Sequence, residues 1–129
     1  MKFKIITTLP ILLASVAIFI ASHQPQIEFP DFGIFNLDKL LHFGAFLLYS
    51  LLLMFFLVSN FNFNKRRVLL ITFVFATLFA ISDEFHQSFV PGRDASLYDL
   101  IADIAGISLS LFFYYFIDKT SNLIYKYVN

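Results

Sequence analysis

The chain has 129 residues, 59% of them hydrophobic and 14% charged, with a formal net charge of +0. Soluble domains carry about 25% charged residues, so this composition and a mean hydropathy of +0.78 argue against a soluble domain. Intrinsic disorder needs the opposite balance, the absence of cysteine removes disulfides and thiolate metal sites, and the scattered cations make no basic face for a nucleic acid.

A membrane-spanning helix needs about 20 mainly apolar residues to cross about 30 Å of hydrocarbon. A helix satisfies all of its backbone polar groups internally, as lipid demands. Four segments meet that requirement, at about residues 5–21, 40–58, 68–87 and 98–117. The fold class expected is all-α: a four-helix transmembrane bundle, one domain over residues 1–129. Lys2 and Lys4 precede the first span and also suit the n-region of a signal peptide, but no clear small-x-small cleavage site follows Ala21-Ser22-His23. Pro30 and Gly33 punctuate the first connection, and Asn36 or Asp38 is placed to cap the second helix. The second connection covers residues 59–64 and passes into Lys65-Arg66-Arg67. The third carries the turn dipeptide Pro91-Gly92 and then Ser96, a candidate N-cap.

The charges divide by side. Lys2, Lys4, Lys65, Arg66, Arg67, Lys119 and Lys126 fall at one side of the four spans, and Lys39 and Arg93 at the other. The positive-inside rule predicts both termini in the cytoplasm. All the acids except Asp118 then belong to the non-cytoplasmic side: Glu28, Asp31, Asp38, Asp83, Glu84, Asp94, Asp99 and Asp103.

Depth is the more informative quantity. Residues 68–81 are uncharged and rise about 21 Å as a helix, so Asp83 and Glu84 still lie within a core of about 30 Å. Residues 104–117 repeat the arithmetic from the other direction and put Asp103 in the same layer. His42, about 25 Å from the inner end of the second span, joins that layer or the next turn. Asp38 with His42, Asp83 with Gln87 and Asp99 with Asp103 are i, i+4 pairs, each on one helical face. Lipid penalises such stripes, so they are expected to face one another around a small wet cavity, with Arg93 covering it. Asp83, Glu84, His42 and Asp103 are the candidates for acid–base catalysis and for ligation of a divalent metal. Arg93, Lys39, Gln87, Asp38 and Asp99 are the candidates for holding a substrate, the two cations suiting a phosphate or carboxylate.

Three runs carry a resemblance: Asp38-Lys39-Leu40-Leu41-His42, Asp83-Glu84-Phe85-His86-Gln87-Ser88-Phe89-Val90-Pro91-Gly92-Arg93, and Asp99-Leu100-Ile101-Ala102-Asp103-Ile104-Ala105-Gly106. Together, and in this order, they resemble the VanZ-like family, whose blocks read DK-x-x-H, DE-x-x-Q-x-F-x-P-x-R and D-x-x-x-N-x-x-G. The resemblance implies a small multipass protein of the bacterial cytoplasmic membrane, in a family whose founding member is associated with low-level teicoplanin resistance. Asp103 stands where the family pattern has Asn, which adds a charge to the layer.

Other residues read more plainly. His86 lies outside the family pattern and is expected at the interface. His23 is a loop residue with no visible partner. Gly44 and Gly106 are expected to let helices approach closely, and Tyr114, Tyr115, Tyr125 and Tyr127 to anchor the inner interface. Two functions follow: action on, or binding of, an envelope lipid, lipid-linked precursor or glycopeptide-type molecule, or a non-catalytic partner protein whose polar layer locks the bundle. The lock predicts that reversing Arg93 and Glu84 together is tolerated. Ion conduction has little support, because the inner halves of the spans lack polar groups to continue a path.

Overall fold

The computed structural model describes residues 2–24, 37–93 and 95–128. Pro30, Gly33, Asn36, Glu28, Asp31 and Asp94 fall outside them. The described residues are helical, with no strand among them: α1 Lys2–Ser22, α2 Leu37–Asn60, α3 Lys65–Gln87, α4 Leu97–Ser110, a 3-10 turn Leu111–Phe113, and α5 Tyr114–Val128. α1, α2, α3 and the continuous stretch Leu97–Val128 are each long and apolar enough to cross a membrane.

Local chemistry sets the helix ends. The Asn64 side chain accepts the Arg67 N–H at 3.0 Å and starts α3 at Lys65, so Lys65, Arg66 and Arg67 form its first turn and not the end of a loop. Ser96 caps α4 by accepting the Tyr98 N–H at 3.2 Å. Between them Gly92 takes φ +80°, the left-handed turn conformation that its missing Cβ permits. The last helical stretch is longer than residues 98–117. It runs for 32 residues, about 48 Å, well beyond a hydrocarbon core of about 30 Å. Asp118 and Lys119 end the apolar run there without ending the helix.

Side-chain pairs fix the antiparallel order. At one end Asn60 Nδ2 donates to Thr7 Oγ1 at 2.9 Å, the Ser59 and Ser121 hydroxyls meet at 2.7 Å, and Phe3 packs edge-on against Tyr125. Lys65 lies at that end too, 3.1 Å from the Tyr115 hydroxyl and over its ring. At the other end α1 meets α3, and α2 meets both α3 and α4, through acidic and basic groups. Between these layers lies a core of Phe46, Met54, Val68, Ala76 and Ile107, all fully or almost fully buried. α2 is the central helix, packed against each of the others. The outward side chains are apolar, among them Leu12, Leu13, Phe75, Leu78, Phe85 and Phe112, as a lipid-facing surface requires.

The two helix glycines differ. A Cβ on Gly106 would stand 2.3 Å from the Phe43 carbonyl oxygen, so α4 rests on α2 backbone to backbone. Gly44 faces open space, with nothing within 4 Å of a Cβ, and packs against no neighbour.

Candidate functional site

Asp83 and Glu84 are consecutive on α3, about 100° apart around the helix axis, and so address different neighbours. Asp83 turns to α1. Its Oδ1 accepts the Ser22 hydroxyl at 2.5 Å, and its Oδ2 accepts Gln87 Nε2 at 2.9 Å from one turn along the same face. Gln87 Oε1 accepts Arg93 Nη1 at 3.2 Å. Arg93 then closes on the end of α1, its Nη2 donating to the Ala21 carbonyl at 2.9 Å and its Nε to the Gln24 carbonyl at 3.0 Å. A cation at a helix C-terminus meets the free carbonyls and the negative end of the dipole.

Glu84 turns to α2 and α4. Its Oε2 accepts the Ser96 backbone N–H at 3.0 Å, and its Oε1 lies 3.7 Å from His42 Nδ1. The same Nδ1 is 3.1 Å from Asp103 Oδ1. Asp103 is 0% exposed and Glu84 7% exposed. Glu84 Oε1 and Asp103 Oδ2 are buried with no hydrogen-bond partner among the described residues. One turn toward the helix ends, the Lys39 ammonium donates to Asp99, the third residue of α4, and to Asp38 at 3.2 Å.

The nine sequence candidates therefore form two networks. His42, Glu84 and Asp103 come together, with Lys39, Asp38 and Asp99 stacked above them. Asp83, Gln87 and Arg93 belong to the other network, with Ser22 of α1. Asp83 thus stands apart from the catalytic and metal-ligating set expected for it, because α3 points it at α1. Arg93 serves the end of α1, its guanidinium already engaged on three acceptors. Neither Arg93 nor Lys39 pairs with Asp83 or Glu84 among the described residues, so reversing Arg93 and Glu84 together does not probe a bond that exists.

Sequence reasoning overlooked two contributions from α1. Ser22 was assigned no role, since the polar layer was sought on the last three spans alone. His23 does have a partner. Its Nδ1 lies 3.4 Å from His86 Nε2, the two rings stack, and Phe19 packs on both. The one signal for either was position: both follow directly on the apolar run of the first span, at the end where α3 also finishes.

Chemically, the His42 group unites an imidazole and two buried carboxylates with acceptor capacity unspent. It can pass protons or ligate a cation. The Asp83 network has its acceptors filled and holds α1 in place. In comparison with known proteins, a family model, VanZ/LLP1, matches residues 2–118. No curated protein and no solved structure is matched by this chain.

Proposed function

We propose that this chain, which belongs to the VanZ/LLP1 family, engages the head group of an envelope lipid or lipid-linked precursor at the non-cytoplasmic ends of α2, α3 and α4. Altered glycopeptide susceptibility would be the outward consequence. The observation that carries this reading is Asp103: wholly buried on α4, 3.1 Å from His42 Nδ1, and still holding Oδ2 without a donor. A buried carboxylate oxygen with no donor is costly and persists where a function uses it.

In this reading His42 exchanges a proton with the bound head group. Lys39, whose side chain is 29% exposed, is the cation that meets an anionic group, with Asp38 and Asp99 as its resting partners. Lys4, Lys65, Arg66, Arg67, Lys119 and Lys126 all belong to the opposite end of the bundle. The positive-inside rule turns that end, with both termini, toward the cytoplasm of a bacterial cell. The head-group end then faces outward.

A second reading has one specific observation behind it. The chain of bonds from Ser22 through Asp83 and Gln87 to Arg93 ties α1 to α3, as a polar lock in a non-catalytic partner protein would. The two readings separate in one experiment. The wild type and the variants Glu84→Gln, Asp103→Asn and Asp83→Asn are expressed in a Gram-positive host. Membrane level, teicoplanin susceptibility and lipid co-purified with the chain are then measured. The head-group reading expects Glu84→Gln to reach the membrane at wild-type level and lose both the susceptibility change and the lipid, and Asp103→Asn, which restores the Asn of the family pattern, to reach the membrane and lose less of each. Full wild-type behaviour of both would leave only the lock.

A further inference from the structure

We infer that His42, Glu84 and Asp103 hold a divalent cation of the Zn²⁺ or Mn²⁺ class, an inference that rests on the reading of this group as the functional centre. One ligand atom from each residue lies within 4.8 Å of the other two. The resolved edges are 3.1 Å from His42 Nδ1 to Asp103 Oδ1 and 3.7 Å from Nδ1 to Glu84 Oε1. Around an ion with bonds of about 2.0–2.2 Å, ligand atoms on adjacent corners stand about 3.0–3.5 Å apart. The three side chains therefore sit near the spacing of a coordination shell.

Two independent observations point to a cation there. Glu84 Oε1 and Asp103 Oδ2 are buried without a donor among the described residues, and Asp103 is 0% exposed. The local charges also fail to balance. Lys39 is engaged by Asp38 and Asp99, and Arg93 by Gln87 and the Ala21 and Gln24 carbonyls, which leaves Glu84 and Asp103 with no permanent cation of their own among the described residues. A dication compensates two carboxylates. A second set, Asp38, His42 and Asp99, has equally close ligand atoms, but the Lys39 ammonium already bonds both of its carboxylates.

The donor set selects the ion. One imidazole nitrogen with two carboxylate oxygens favours Zn²⁺ or Mn²⁺ over Ca²⁺, which takes oxygen alone, and over Cu⁺, which seeks sulfur. Ligation through Nδ1 requires the His42 tautomer that carries its proton on Nε2. Three protein ligands leave positions open for water or for a phosphate oxygen of the head group.

The test uses the full chain purified in detergent without chelator and titrated with ZnCl₂ by calorimetry and with MnCl₂ by electron paramagnetic resonance. The expected result is one ion per chain. Glu84→Gln and Asp103→Asn should each weaken binding at least about tenfold, and Asp83→Asn should leave it unchanged. The Mn²⁺ spectrum should show coupling to an imidazole nitrogen that disappears in His42→Gln, a readout that a merely destabilised bundle does not mimic. Substoichiometric binding by the wild type, or wild-type affinity in both carboxylate variants, would overturn the inference. Bound metal with no co-purified lipid retires the head-group reading and keeps the ion. Co-purified lipid with no metal keeps the head-group reading and removes the ion.

Discussion

Asp83 and Glu84 are neighbours on α3, yet Asp83 has both carboxylate oxygens engaged by Ser22 and Gln87 while Glu84 keeps Oε1 bare beside His42. The Asp83 side joins α1 to the bundle through a closed run of donors and acceptors that ends on the carbonyls of Ala21, in the last turn of α1, and Gln24, just past it. The Glu84 side joins α2, α3 and α4 around groups with capacity left over. Complete satisfaction stabilises a buried polar network, whereas an unfinished one costs stability and marks a place where something else binds or reacts. A single step along one helix separates a fastening from a workplace.

Substitutions on the two sides should therefore behave in opposite ways. The largest stability loss is expected from Asp83→Ala, which strands Gln87 Nε2 and removes two hydrogen bonds to a charged group, for about 3 kcal/mol. Thermal unfolding in detergent would read it, and a loss as large in Glu84→Gln would erase the contrast. Arg93→Lys should cost about 1 kcal/mol, because an ammonium cannot reach Gln87 and the Ala21 and Gln24 carbonyls in the same fork geometry. Disulfide trapping between cysteines placed at the ends of α1 and α3 should slow accordingly, and an unchanged rate would mean that Arg93 does not fasten α1. The smallest stability change belongs to Glu84→Gln and Asp103→Asn. Neutralising a buried, incompletely partnered carboxylate should be neutral or stabilising by about 1 kcal/mol, while lipid co-purification falls.

The fold was legible because the hydrocarbon core imposes a length. Four apolar runs between polar connections can hardly be anything other than spans, and the all-helical structure has four helices that meet the requirement. The far end of the last helix escaped notice because hydropathy locates the membrane and not the helix. Past Asp118 the pattern turns amphipathic, and α5 continues on polar contacts such as Ser59 with Ser121. The family match also stops at residue 118.

Depth was legible at the site for the same reason. Counting uncharged residues inward puts Asp83, Glu84 and Asp103 in one layer, and α2 and α4, which run in the same direction, bring His42 and Asp103 together near their N-terminal ends. Azimuth was not legible. Depth arithmetic cannot say that α3 presents Asp83 to α1 and Glu84 to α2 and α4, since that depends on how α3 is rotated against three neighbours. Nor does a lone Ser22 at the end of an apolar run announce a bond to a carboxylate 61 residues away. The contacts of Arg93 were not legible either: a cation in a loop beside acids does not announce that backbone carbonyls at the end of a helix are its acceptors.

Gly106 lies one turn beyond Asp103, and Phe43, whose carbonyl it touches, directly follows His42. With no side chain between the two backbones, the imidazole and the carboxylate cannot be drawn closer or let apart by repacking, as bulky contacts would allow. The spacing between them is set at the level of the backbone, whereas α3 brings Glu84 to them through side-chain contacts alone.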